Sequence, residues 1–143
     1  MAVSADAGPA RPIHPLFAFL LAGAVPLFLG ALLGDLAYRA SPEPQWANFA
    51  AWLLVGAMVL TGLALLWAFI LLIVTRRRWR DWPLLCFVLL FALFVLGLID
   101  SFVHARDAWA IMPAAPILSG IVTLAAALAC AVGLATLRMR DTR

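Results

Sequence analysis

Charge is what this sequence has least of. Only 12% of its 143 residues are charged, and none of them is lysine, whereas soluble globular domains carry roughly a quarter charged residues. With 66% hydrophobic residues and a mean hydropathy of +1.08, water is excluded as the main solvent of the folded chain. Catalytic signatures are missing too. No H-E-x-x-H, C-x-x-C, G-x-S-x-G or phosphate-loop pattern occurs, so metalloprotease, dithiol, nucleophile-elbow and P-loop chemistries have no residues to carry them, and nothing positive points to an enzyme. Cysteine is limited to Cys86 and Cys130. Both fall in apolar stretches without further ligands, which excludes a disulfide framework or a structural zinc site and leaves them as small packing residues. The net charge of +3 comes from arginines in loops and tails, a topology signal rather than a nucleic-acid surface.

What is present is apolar length. Four blocks, about 14–38, 49–75, 83–104 and 116–137, each reach the ~20 residues needed to cross a ~30 Å hydrocarbon core. The expected fold is therefore all-α, an integral membrane four-helix transmembrane bundle. It forms one domain over 13–138, between a disordered tail at 1–12 and a short tail at 139–143. A signal peptide is the competing reading of the first block, because Arg11 precedes it and Ala-Tyr-Arg-Ala at 37–40 faintly resembles a cleavage site. Tyr38 stands where a small residue is needed and the apolar run exceeds a ~7–15-residue signal core, so the segment is expected to stay uncleaved.

Arginine placement gives an orientation. Eight arginines (Arg11, the cluster Arg76, Arg77, Arg78 and Arg80, and Arg138, Arg140 and Arg143) fall on one side of a four-span chain, against Arg39 and Arg106 on the other. The positive-inside rule then puts both termini and the central loop in the cytoplasm, and the loops at 39–48 and 105–115 outside. Trp79 and Trp82 on the inner side, with Trp46 and Trp109 on the outer, sit where interfacial aromatics belong. Within the first span, Pro26 is expected to kink the helix, and Gly30 and Gly34 form a small-xxx-small pair suited to helix packing. A weak echo relates Asp35 to Asp100 and Gly56 to Gly120 at offsets of 65 and 64 residues. It suggests two hairpins in a parallel repeat, as some transporters use; a chance match between apolar segments is the alternative.

Asp35 and Asp100 are the most informative polar residues, since a carboxylate within a span tends to face the bundle interior or water. Asp35 and Arg39 have the spacing of an i,i+4 ion pair, and Asp100, His104 and Asp107 share one helix face. If spans one and three are neighbours, Asp35, Tyr38, Asp100, Ser101 and His104 form a polar pocket at the outer surface, roofed by Trp46 and Trp109. Such a pocket suits proton exchange, weak metal binding or a quinone headgroup. The blander reading is that these groups snorkel outward and anchor helix ends, which their nearness to the interface favours. A haem b held by both histidines is excluded within one chain, because His14 and His104 stand roughly 30 Å apart along the membrane normal. A haem shared between protomers, or ligated with Met58 or Met112, stays open.

Arg-Pro-Ile-His-Pro at 11–15, Gly-Asp-Leu at 34–36, Trp46 with Asn48, and His-Ala-Arg-Asp-Ala-Trp at 104–109 resemble a bacterial membrane family, the domain of unknown function 2231. The resemblance covers nearly the whole chain. It implies a compact four-span inner-membrane protein with an Ile-His-Pro start and an Asp near the end of span one, here His14 and Asp35. It also implies a redox context suited to a quinone-linked or electron-transfer accessory role. Three functions follow: a non-enzymatic accessory subunit docking on a membrane partner or a second copy through small-residue faces, a quinone- or haem-linked redox protein using the outer pocket, and a small transporter.

Overall fold

A computed structural model describes residues 15–74, 82–106 and 108–138. The tail at 1–12, His14, the arginine cluster with Trp79, Asp107 and the 139–143 tail lie outside the described residues, as does the side chain of Trp109. Four helices account for nearly all of the described chain: α1 (Pro15–Ala40), α2 (Pro44–Val74), α3 (Trp82–His104) and α4 (Ala114–Arg138). There is no strand among the described residues. A 3₁₀ turn at Ala108–Ile111 lies between α3 and α4.

Each helix is long and apolar enough to cross a membrane. Helix α2 begins at Pro44 rather than at the expected 49, because proline in a first helical turn gives up a backbone donor that has no intrahelical partner there. Helix α1 runs through Pro26 to Ala40 as one element.

The interior follows a single rule. On α1 the buried positions are 17, 20, 21, 24, 28, 31, 34, 35 and 38; on α2 they are 50, 54, 57, 61, 64 and 68. On α3 they are 86, 90, 93, 97, 100 and 103, and on α4 they are 115, 119, 122, 126, 129 and 133. Apart from Leu20 and Gly34, which flank the seam of α1, and Val103 at the end of α3, the steps alternate between four and three residues, a 3.5-residue period that keeps one seam of each helix on the bundle axis. Helix α1 packs on α2 and α4, and α3 packs on the same two, so the helices form a ring in chain order with α1 and α3 diagonal. Large side chains such as Phe28, Leu90 and Leu93 project from the diagonal pair, while α2 and α4 offer mostly Ala and Gly. Large against small lets the layers interdigitate.

The outer surface is equally apolar. Trp52, Phe102, Leu124 and Phe19 are each more than 60% exposed, an arrangement that only a hydrocarbon solvent makes favourable.

Gly30 and Gly34 lie on the α1–α2 contact, facing Leu53 and Ala50 respectively. A Cβ at Gly34 would come 3.0 Å from the Ala50 Cβ and 3.3 Å from the Trp46 carbonyl oxygen, so backbone rather than a yielding side chain limits the approach. At Gly120 the nearest atom would be 4.0 Å away. Gly34→Leu is therefore expected to destabilise the detergent-solubilised protein by about 1–3 kcal/mol through overpacking, and Gly120→Ala by less than about 0.5 kcal/mol; thermal melts followed by size-exclusion chromatography will rank the two.

Candidate functional site

Three of the four helices place a polar residue on the seam at one level near the α1–α2 and α3–α4 connections. Asp35 is five residues before the end of α1, Asp100 four before the end of α3, and Ser119 five after the start of α4, each ~6–8 Å in from its helix end. Helix α2 contributes Ala50, which occupies little space. Asp35 and Asp100 have no exposure at all and Ser119 has 1%. The carboxylates thus turn inward rather than anchoring the helix ends in water. Arg39 is exposed on the last turn of α1, where a cation complements the helix dipole, and no Asp35–Arg39 ion pair forms.

His104 joins the two carboxylates. Its Nε2 lies 2.9 Å from Asp35 Oδ1, and its Nδ1 lies 3.0 Å from the Asp100 backbone oxygen. Because a carbonyl oxygen can only accept, Nδ1 carries the hydrogen and donates it. The Nε2–Oδ1 contact then holds one more proton, which can reside on either atom without moving the heavy atoms. Asp100 Oδ1 is 3.3 Å from Nδ1, but the N–H points at the backbone oxygen and leaves Oδ1 without a hydrogen bond. Ser119 Oγ completes the circuit, donating to Asp35 Oδ2 at 2.5 Å and lying 3.1 Å from Asp100 Oδ2. A hydroxyl has one proton to give, so the two Oδ2 atoms compete for it. The three titratable groups are collectively neutral when they share two exchangeable protons.

The bundle therefore joins Asp35, Asp100 and His104 although α1 and α3 are diagonal: the imidazole crosses the axis where neighbouring helices were expected. Ser101 stays apart, donating to the Gly97 carbonyl of its own helix at 2.8 Å. Tyr38 is buried one turn beyond Asp35 and packs with Val103, Ile111 and Ala115 as an apolar cover. Trp46 is exposed at the start of α2 and takes no part in that cover. Ser119 was not among the expected site residues. Its one signal in the sequence is its place in the four-three seam of α4, which reads as apolar packing until Asp35 and Asp100 are seen opposite.

On the other side of the cluster the seam holds no charged side chain. Phe28, Leu54, Leu90, Leu93 and Val122 fill it, with Thr61 as a buried hydroxyl that has no hydrogen-bond partner among the described residues, and no Asp, Glu, His, Lys or Arg occurs at 15–34, 51–74, 82–99 or 120–137. From Asp35 back to Pro15 is ~30 Å of helix. With both ring nitrogens of His104 engaged, iron ligation would require breaking one of these contacts. Met58 is packed against Gly97, away from His104. Beside the cover, a groove of about 660 Å³ runs between the end of α1 and the start of α4, with Tyr38, Arg39, Met112 and Pro113 among its walls.

A family model described as "Predicted membrane protein (DUF2231)" matches residues 10–139. No curated protein and no solved structure matches the chain. The match spans every residue of the cluster, and its description assigns no activity.

Ser119→Ala removes the only hydroxyl shared by the two carboxylates and is expected to cost about 1–3 kcal/mol of stability. A double-mutant cycle between Asp35→Asn and His104→Gln is expected to return a coupling above about 1 kcal/mol in detergent melts; additive effects would mean that the contact is not formed.

Proposed function

We propose that this chain, which belongs to the DUF2231 family of predicted membrane proteins, carries a proton-binding centre that exchanges protons with one membrane face only. The observation that carries this reading is the asymmetry around two fully buried carboxylates. One apolar layer about a helical turn thick covers them at the connection end, against ~30 Å of seam at the other in which the Thr61 hydroxyl is the one buried polar side chain among the described residues. An ionisable group inside a span is costly and is kept for function. Here four side chains share mobile protons in a low-dielectric interior, where hydrogen bonds are strong and rearrange together. His104 shares a proton with Asp35, and Ser119, between the two Oδ2 atoms, is the hydroxyl that connects Asp35 to Asp100.

The arginine distribution supports an orientation with both termini cytoplasmic, and the likeness to a bacterial membrane family favours an inner-membrane location, so the exchanging face is the outer one. A centre open to one side suits an accessory subunit of a membrane redox complex, quinone-linked, in which protons are taken up and returned on the same side while electrons belong to a partner. The lack of charged side chains along the rest of the seam favours this over a proton-coupled transporter, whose site must reach both sides in turn.

Infrared difference spectra of the protein in vesicles test the reading. An acid-to-alkaline titration is expected to show a protonated-carboxyl band that shifts in heavy water and is lost or displaced in Asp35→Asn and Asp100→Asn. Vesicles holding the protein should be as proton-tight as empty ones. Absence of the band removes the centre, and a leak abolished by Asp35→Asn would make the path a channel.

A further inference from the structure

We infer that the groove beside Tyr38 binds the ring of a lipid-soluble quinone. Its volume of about 660 Å³ lies within the range of small-molecule sites and exceeds what a single aromatic ring needs. Two of its lining residues are polar. The Tyr38 hydroxyl and the Arg39 guanidinium make no hydrogen bond or ion pair among the described residues. Both groups can donate, and no carboxylate lines the groove to take their protons. A quinone ring offers two carbonyl oxygens that only accept, the complement of such a pair.

The remaining walls favour a flat, apolar body. Pro42, Pro113 and Met112 present rigid rings and a polarisable thioether. Leu36 and Ile117 also line the groove and are 44% and 60% exposed on the bundle's outer surface, which opens it toward lipid and gives an isoprenoid tail an apolar path. An anionic phospholipid could also accept from Arg39 and Tyr38, but would leave the flat lining of Pro42, Met112 and Pro113 without a role. Tyr38 follows Asp35 by three residues on the same seam, so a ring held by the phenol sits about one helical turn from the proton-binding cluster. The pairing of the groove with proton exchange rests on the function proposed above; the binding of the ring does not.

The test uses the full chain in phosphatidylcholine nanodiscs, titrated with decylubiquinone and followed by quenching of intrinsic tryptophan fluorescence. Saturable quenching is expected. Tyr38→Phe and Arg39→Gln should each weaken it about five- to tenfold, the loss of one hydrogen bond, with melting temperatures unchanged. Asp35→Asn should leave the affinity within about twofold of the parent. Saturation that survives while the infrared carboxyl band is missing would overturn the proton reading and keep the groove. Quenching that does not saturate, or is indifferent to both groove substitutions, overturns the quinone assignment. So does phosphatidylglycerol retained in native mass spectra, lost on Arg39→Gln and not displaced by decylubiquinone.

Discussion

Two carboxylates without water contact must find every hydrogen bond inside the protein, and this requirement organises the connection end of the bundle. Asp35 and Asp100 face each other from diagonal helices, too far apart to be joined by backbone packing. A side chain long enough to cross the axis, His104, joins the Asp35 carboxylate to the Asp100 backbone carbonyl, and one short enough to sit between the carboxylates, Ser119, contacts both. Replacing one partner of such an arrangement leaves a polar group stranded, which costs more than the bond itself contributes. The unpaired Asp100 Oδ1 marks where the circuit stays open.

The rest of the bundle holds this geometry in place. A seam of 3.5-residue period on all four helices sets the rotation of each about its own axis, so the residue at 35, 100 or 119 has no choice but to face inward. Gly34, against Ala50 and the Trp46 carbonyl, brings α2 close beside Asp35, and the small Ala50 leaves room on the axis for the imidazole. Packing and polar chemistry are therefore one problem: a bulkier α2 would push the carboxylates apart.

The four spans and the helical class were legible in the sequence, because apolar length alone dictates them. Helix faces were much less so. In a membrane the outward side is as hydrophobic as the inward one, and the contrast that reveals an amphipathic helix in water is missing. Leucines pointing to lipid and leucines pointing to the seam look alike, so the four-three spacing emerges only once burial is known. That is also why the anchoring reading of Asp35 had weight, and why Ser119 passed as filler between Leu118 and Gly120. Asp35, Asp100 and His104 stood out for the opposite reason, since an ionisable side chain in an apolar stretch needs an explanation wherever it points. Tyr38 and Ser101 shared their neighbourhood, but the seam sends one to the cover and the other back to its own backbone.

The shallow depth of the cluster has an electrical meaning. A charge crossing the full hydrocarbon thickness gains or loses about 2.3 kcal/mol per 100 mV of membrane potential. Asp35 lies only ~7.5 Å inside its helix end, so a proton reaching it traverses about a quarter of the field, worth about 0.6 kcal/mol. Loading and unloading would then proceed at nearly the same free energy in an energised cell and in a depolarised one.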